Sequence, residues 1–132
     1  SPESIWSVMT NCELAPEFVP HLKSCEVLDA GDDWEIIEHK VKYYLLWPQQ
    51  RYTFKADYHP FKKISFLRIK GDLKYLQGEW LLQDDVDGQI RVTYSVTIDP
   101  GRLVPKFMVR RALRKDLPKV MKAFREQVLA HE

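Results

Sequence analysis

The residues whose types and spacing point to chemistry are aromatic side chains at alternating strand positions, Tyr52, Phe54, Phe66, Trp80 and Tyr94, and one arginine, Arg110, in an apolar helix stripe. The chemistry they suggest is recognition of an apolar molecule. Large rings cover much area, and tyrosine hydroxyls need partners when buried, which places a few oriented polar groups in an apolar wall. The same rings would serve equally as plain core. Burying about 300 Å² of apolar ligand surface would give roughly 7 kcal/mol at ~25 cal/mol/Å², less an association cost of at least ~4 kcal/mol. Shape alone therefore gives weak, promiscuous binding, and specificity falls to Arg110, Arg68 and Tyr94. Arg68 follows Ile64 and Phe66 on an alternating face, although the apolar Leu67 and Ile69 leave the phase of that strand open.

Arg110 lies in KFMVRRALRKDL, residues 106–117, within a run from Arg102 to about Leu129 that reads as one long helix. On a wheel of about 100° per residue with Phe107 at the origin, Leu103, Leu113, Leu117, Val120, Met121, Phe124 and Val128 fall between roughly 220° and 320°. Arg111, Lys115, Lys119 and Lys122 form a separate row between roughly 40° and 120°. Arg110 falls at about 300°, inside the apolar stripe and one turn from Phe107 and Leu113. A guanidinium turned inward is costly unless paired. Two partners are open: an internal carboxylate such as Glu79 or Asp72, or a polar or anionic group of a ligand held between helix and sheet. Pro118 can bend the helix beyond this point.

The other reactive groups lack the company that catalysis needs. His21, His39, His59 and His131 show no H-x-x-x-H or Cys/His ligand spacing, so no metal site is expected. There is no G-x-S-x-G, P-loop or dinucleotide fingerprint, and no catalytic residue or cofactor is assigned. Asp84, Asp85 and Asp87 cluster in a turn and read as solvated rather than as an acid–base pair. Cys12 and Cys25 make no C-x-x-C, and a lone pair of cysteines in a chain of 132 residues suggests reduced thiols and a cytoplasmic setting.

The elements that must position these residues follow from composition and period. A hydrophobic share of 45% and a charged share of 30% are ordinary for a soluble globular chain, which excludes disordered, collagen-like and disulfide-rich classes. The longest apolar run, YYLLW at 43–47, is far short of the roughly 20 residues that span a bilayer. SPESIWSV has neither the basic start nor the apolar run of a signal segment. One domain over residues 1–132 is expected. Ser1, Pro2 and Glu3 read as a helix start with Ile5, Trp6 and Met9 on its apolar face; Thr10-Asn11-Cys12 breaks it before a second short helix, Glu13 to Phe18, ending near Pro20. Alternation then predicts about six strands: CEVLD at 25–29, a long strand from Trp34 to Trp47-Pro48, RYTFKADY at 51–58, KKISFLRI at 62–69, KYLQGEWLLQ at 74–83, and residues 90–99. Asp87-Gly88 marks a hairpin. Strands in succession with tight turns predict an antiparallel meander, hence an α+β architecture with a terminal helix.

In this order the elements resemble the START-like superfamily, also called SRPBCC. IWSVMTNCELAPEFVPHLKSCEVL (5–28) is similar to the helix-helix-strand opening of its polyketide cyclase/dehydrase and coenzyme Q-binding members. GDLKYLQGEWLLQ (71–83) resembles their G-x-W strand, here Gly78 and Trp80, and DPGRLVPKFMVRRALRKDLPKVMKAFRE (99–126) their proline-glycine lead into the closing helix. The resemblance implies a helix-grip fold, in which a curved antiparallel sheet wraps a long C-terminal helix and leaves an apolar cavity between them. It implies binding of lipids, sterols, quinones, polyketides or plant hormones, with cyclisation or dehydration in a minority. Family pocket positions fall on Trp80, Tyr94, Phe107 and Arg110. Members normally begin with a strand before the first helix, whereas this sequence starts at that helix's cap.

Charge is unevenly divided. Residues 102–125 hold nine basic side chains against one acidic, a net of +8, while residues 1–101 hold eleven against sixteen, a net of −5. The basic row of Arg111, Lys115, Lys119 and Lys122 is a solvated face, or a surface for anionic lipid headgroups; nucleic acid binding would need interleaved exposed aromatics, which are absent. The expected function is binding or transport of a hydrophobic small molecule, lipid, quinone or polyketide-like, by Tyr52, Phe54, Phe66, Arg68, Trp80, Tyr94, Phe107, Arg110 and Leu113. The alternatives are a polyketide aromatase/cyclase or dehydratase in the same cavity, with Tyr94 or Arg110 orienting a carbonyl or enolate oxygen, and a protein-interaction module using the basic helix.

Overall fold

The computed structural model describes residues 2–19, 21–42, 49–101 and 106–130. Two short helices, α1 (Pro2–Met9) and α2 (Ala15–Phe18), precede the strands β1 (Leu22–Ala30), β2 (Trp34–Val41), β3 (Gln50–His59), β4 (Lys63–Gly71), β5 (Tyr75–Asp84) and β6 (Ile90–Asp99), and α3 (Lys106–Ala130) closes the chain. The strands form one antiparallel sheet in sequence order, the meander that alternation and tight turns predict. Boundaries shift locally: β1 begins at Leu22, ahead of CEVLD, and α2 at Ala15 rather than Glu13. The expected run of β2 to Trp47-Pro48 and the start of the long helix at Arg102 involve residues 43–48 and 102–105, outside the described residues.

The β5–β6 hairpin shows why its sequence turns where it does. Asp87 and Gly88 take φ values of 60° and 73°, the left-handed region that Asp and Gly tolerate, and the Asp85 carboxylate accepts the Val86 N–H. Alternation then sends one set of side chains to the concave face. Ile37, Phe54, Ala56, Ile64, Phe66 and Leu76 are buried there in one cluster. Gly78 stands opposite Phe66, and the Phe66 ring fills the space that a Cβ at Gly78 would take. The glycine of the G-x-W stretch therefore lets an aromatic lie flat on the sheet.

The helices cover only part of that face. Val120, Phe124 and Val128, spaced four residues apart, are buried, and Phe124 and Val128 join Ile5, Val8, Phe18 and Leu82 in a second cluster. The Phe124 ring lies 5.6 Å from Phe18 of α2 and 5.2 Å from Trp80 of β5. Helix α3 runs unbroken through Pro118. In its first turns Phe107 is 68% exposed, and Arg110 is exposed.

One expectation is overturned. Cys12 and Cys25 are not reduced thiols but a disulfide, with Cα atoms 5.4 Å apart. The turn between α1 and α2 lays Cys12 against β1, a proximity that comes from tertiary packing and is invisible in the spacing. The thiol premise for a cytoplasmic setting falls with it. Among the described residues no helix is long and apolar enough to cross a membrane. Closing a 13-residue separation should stabilise the fold by about 3 kcal/mol. The double variant Cys12→Ser/Cys25→Ser should therefore melt roughly 10 °C lower than oxidised wild type by calorimetry, and wild type in reductant should follow the variant; a variant that melts with oxidised wild type would show that the bridge carries no stability.

Candidate functional site

Between the concave face of the sheet, the α1–α2 turn and the front half of α3 lies a cavity of about 210 Å³. That is just under the roughly 300–1,000 Å³ of most small-molecule sites. Period-2 alternation builds its wall: Ile37, His39 and Val41 from β2, Tyr52, Phe54, Ala56 and Tyr58 from β3, Ile64 and Phe66 from β4, Leu76 and Trp80 from β5, and Tyr94 and Ile98 from β6. Helix α3 adds Leu113, Asp116, Leu117 and Val120, and the cover adds Met9, Thr10, Cys12, Phe18 and Val19. The disulfide is itself part of the wall.

Of the side chains expected from sequence, Tyr52, Phe54, Phe66, Trp80, Tyr94 and Leu113 meet on this wall. Three others do not. Arg68 donates from its guanidinium to the Gly71 carbonyl at 3.0 Å, and its Nε is buried without a hydrogen-bond partner among the described residues. Phe107 and Arg110 face solvent. The inward placement of Arg110 is thus corrected: among the described residues the apolar stripe of α3 meets the cavity wall from Leu113 onward, and Arg110, one turn earlier, is exposed. Of its two suggested carboxylates, Asp72 instead accepts the Arg51 backbone N–H at 2.8 Å.

The wall carries polar groups in pairs. His39 Nδ1 lies 3.1 Å from the Tyr52 hydroxyl, with the two residues directly opposite each other on β2 and β3. Burial holds the His39 imidazole down at about 4, from an ordinary 6.5, so it is neutral at physiological pH. Further along the same strands Tyr58 donates to the Glu35 carboxylate. Burial, then that hydrogen bond and the negative charge, push the Tyr58 phenol above its usual range. At the rim His21 Nε2 meets Asp116 Oδ2 at 3.2 Å, tying the start of β1 to α3. His39 was missed because histidines were read for metal spacing; the signal was its phase, since Ile37, His39 and Val41 alternate with Glu38, Lys40 and Lys42. Among the described residues no group of three or more His, Cys, Asp or Glu side chains is arranged to hold a metal.

Comparison with known proteins fits this geometry. Residues 1–125 match the family described as polyketide cyclase/dehydrase and lipid transport. The fold is similar to that of a STAR-related lipid transfer protein from Xanthomonas axonopodis, with a TM-score of 0.80 and 19% identity over 97% of this chain and 79% of that one. A START superfamily protein from Mycobacterium smegmatis gives 0.77 and 18% over 98% and 90%. The Zhui aromatase/cyclase from Streptomyces gives 0.67 and 17% over 98% and 84%. At these identities the likeness is one of fold. No curated protein matches the sequence.

The buried imidazole makes a pH prediction. Its folded pKa of about 4 lies below the unfolded 6.5, so the unfolded chain takes up a proton first as pH falls. The contribution of the neutral ring to stability is complete above pH 6.5 and is lost between there and pH 4. The loss at full protonation is about 3 kcal/mol. Urea unfolding across that window should show the slope, and His39→Gln should flatten it; an unchanged slope in the variant would assign the effect elsewhere.

Proposed function

The chain belongs to the polyketide cyclase/dehydrase and lipid transport family, and from that premise we propose that it binds and carries an apolar small molecule, a lipid, quinone or polyketide-like compound, in the cavity between sheet and α3. The observation that carries this reading is the wall itself, which is aromatic and aliphatic apart from a few paired polar groups, with no lysine or arginine among its described residues. Removing an apolar ligand from water into such a site is favourable in proportion to the area buried. A cyclase or dehydratase in the same cavity would have Tyr94 on the wall to orient a carbonyl or enolate oxygen, but not Arg110, which faces solvent. Turnover of a polyketide mimic by the purified protein would replace the carrier reading with that one.

Delivery would use the outer face of α3. Arg111, Lys115, Lys119 and Lys122 are all exposed, and Phe107 beside them is 68% exposed at the first turn. Cations with an apolar side chain next to them suit an anionic bilayer surface, where each Lys or Arg is worth about 1 kcal/mol.

Two experiments test the proposal. Native mass spectrometry of freshly purified protein, followed by organic extraction, should release a discrete apolar compound. Ala56 is 2% exposed and lines the cavity, so Ala56→Phe should fill it and cut uptake of that compound at least about tenfold, at an overpacking cost of roughly 1–3 kcal/mol. Undiminished uptake by the folded variant would place the ligand elsewhere. Separately, the protein should sediment with phosphatidylserine vesicles at low salt. Reversing Arg111, Lys115 and Lys119 to Glu should weaken this about a hundredfold or more; sedimentation indifferent to salt and to charge reversal would remove the membrane step.

A further inference from the structure

We propose that the His39–Tyr52 pair is the recognition element of the cavity, and that it selects an apolar ligand bearing one neutral hydroxyl or carbonyl group over both a bare hydrocarbon and a carboxylate. The inference rests on the cavity-binding reading above and deepens it.

The pair is placed and held for that task. His39 and Tyr52 both line the cavity, joined through Nδ1 and the phenol oxygen at 3.1 Å. The imidazole is fixed edge-on between rings, 4.8 Å from Phe54 at 84° and 5.4 Å from Tyr52 at 63°. Its other nitrogen, Nε2, has no hydrogen-bond partner among the described residues. A neutral imidazole has one donor and one acceptor nitrogen, and the tautomer is set by what each meets. When the Tyr52 hydroxyl donates to Nδ1, Nε2 carries the proton and donates to a ligand oxygen. When Nδ1 carries the proton and donates to the phenol oxygen, Nε2 accepts from a ligand hydroxyl. The pair thus serves either polarity by a change of imidazole tautomer, through exchange with water, and a rotation of the phenol O–H, and no net charge develops.

The surroundings exclude the other ligand classes. A hydrocarbon filling the cavity would leave Nε2 buried and unpaired, at the full cost of the missing bond. A carboxylate would enter without a counter-ion, because the described lining residues include no lysine or arginine and do include Asp116. His39 does not supply the missing cation, since its burial favours the uncharged ring. A neutral alcohol, phenol or ketone meets neither penalty.

Three matched probes test this at pH 7.5: naphthalene, 2-naphthol and 2-naphthoate, titrated by fluorescence. The ratio of 2-naphthol to naphthalene affinity should fall about fivefold to tenfold in His39→Leu and in Tyr52→Phe, and 2-naphthoate should be the weakest ligand of wild type. Ring ¹⁵N shifts of His39 in wild type should move with 2-naphthol and stay nearly still with naphthalene, a readout that does not depend on the variants folding. If all three probes bind but the ratio is the same in wild type and variants, or the His39 shifts ignore 2-naphthol at saturation, the pair is packing only and this inference falls while the cavity reading stands. If folded wild type takes up none of the three, both fall together.

Discussion

The seat of Phe124 is the contact on which the rest of the structure depends. Its ring meets Phe18 of the cover and Trp80 of the sheet, so one side chain joins all three layers. A buried phenylalanine of this kind is worth about 3–5 kcal/mol against alanine. With the buried Val120 and Val128 on the same stripe, it fixes the second half of α3 against α1, α2 and the far end of β5. The sheet is curved, so a helix anchored on it at one end leaves space beneath it at the other. The cavity is the volume left by that mismatch, and it lies under Leu113 and Leu117 rather than under Phe124.

A cavity of this kind constrains every polar group on its wall. In a low-dielectric site an unmade hydrogen bond costs more than a made one gains. The chain meets this by pairing along and across its elements: His39 with Tyr52 between neighbouring strands, Tyr58 with Glu35 on the same two strands, and Asp116 with His21 between helix and strand. The first two pairs sit on β2 and β3, strands whose full register, from Trp34 opposite Asp57 to Val41 opposite Gln50, holds each partner in place. The third and the Cys12–Cys25 bridge secure the margin of the cavity to β1. The wall is therefore firm on its sheet side and tied at its cover. At the front of α3, among the described residues, Phe107 and Arg110 are exposed.

Much of this was legible in the sequence wherever a single period governs a segment. Ile90 to Asp99 alternates without exception, and β6 follows it residue for residue. Asp87-Gly88 turns as its residue types require. The aromatic positions Tyr52, Phe54, Phe66, Trp80 and Tyr94 reach one wall because strand phase alone sets the face. What failed needed the third dimension. The helix wheel gave Arg110 an azimuth inside the apolar stripe but says nothing of how far the opposing layer extends, and Arg110 is exposed. The Cys12–Cys25 bridge depends on where a helical turn lands on a strand. His39 is a failure of a different kind: its phase was readable beside Ile37 and Val41, but it was weighed as a metal ligand and not as a polar residue on an apolar face.

Helix α3 brings two properties together that would conflict on a flat surface. One side contributes Leu113, Asp116, Leu117 and Val120 to a cavity whose described wall has no lysine or arginine, and the other carries Arg111, Lys115, Lys119 and Lys122 in water. Exposed charges are screened over about 8 Å at physiological ionic strength, while a helix with its side chains is about 10–12 Å across. The basic row is therefore largely screened by the solvent around it and stands on the face of the helix away from the cavity. In the proposed carrier, selectivity for the ligand and attraction to an anionic surface are thus independent properties of one helix. In that proposal a charge change in the row would alter where the protein goes, and a change on the wall would alter what it holds.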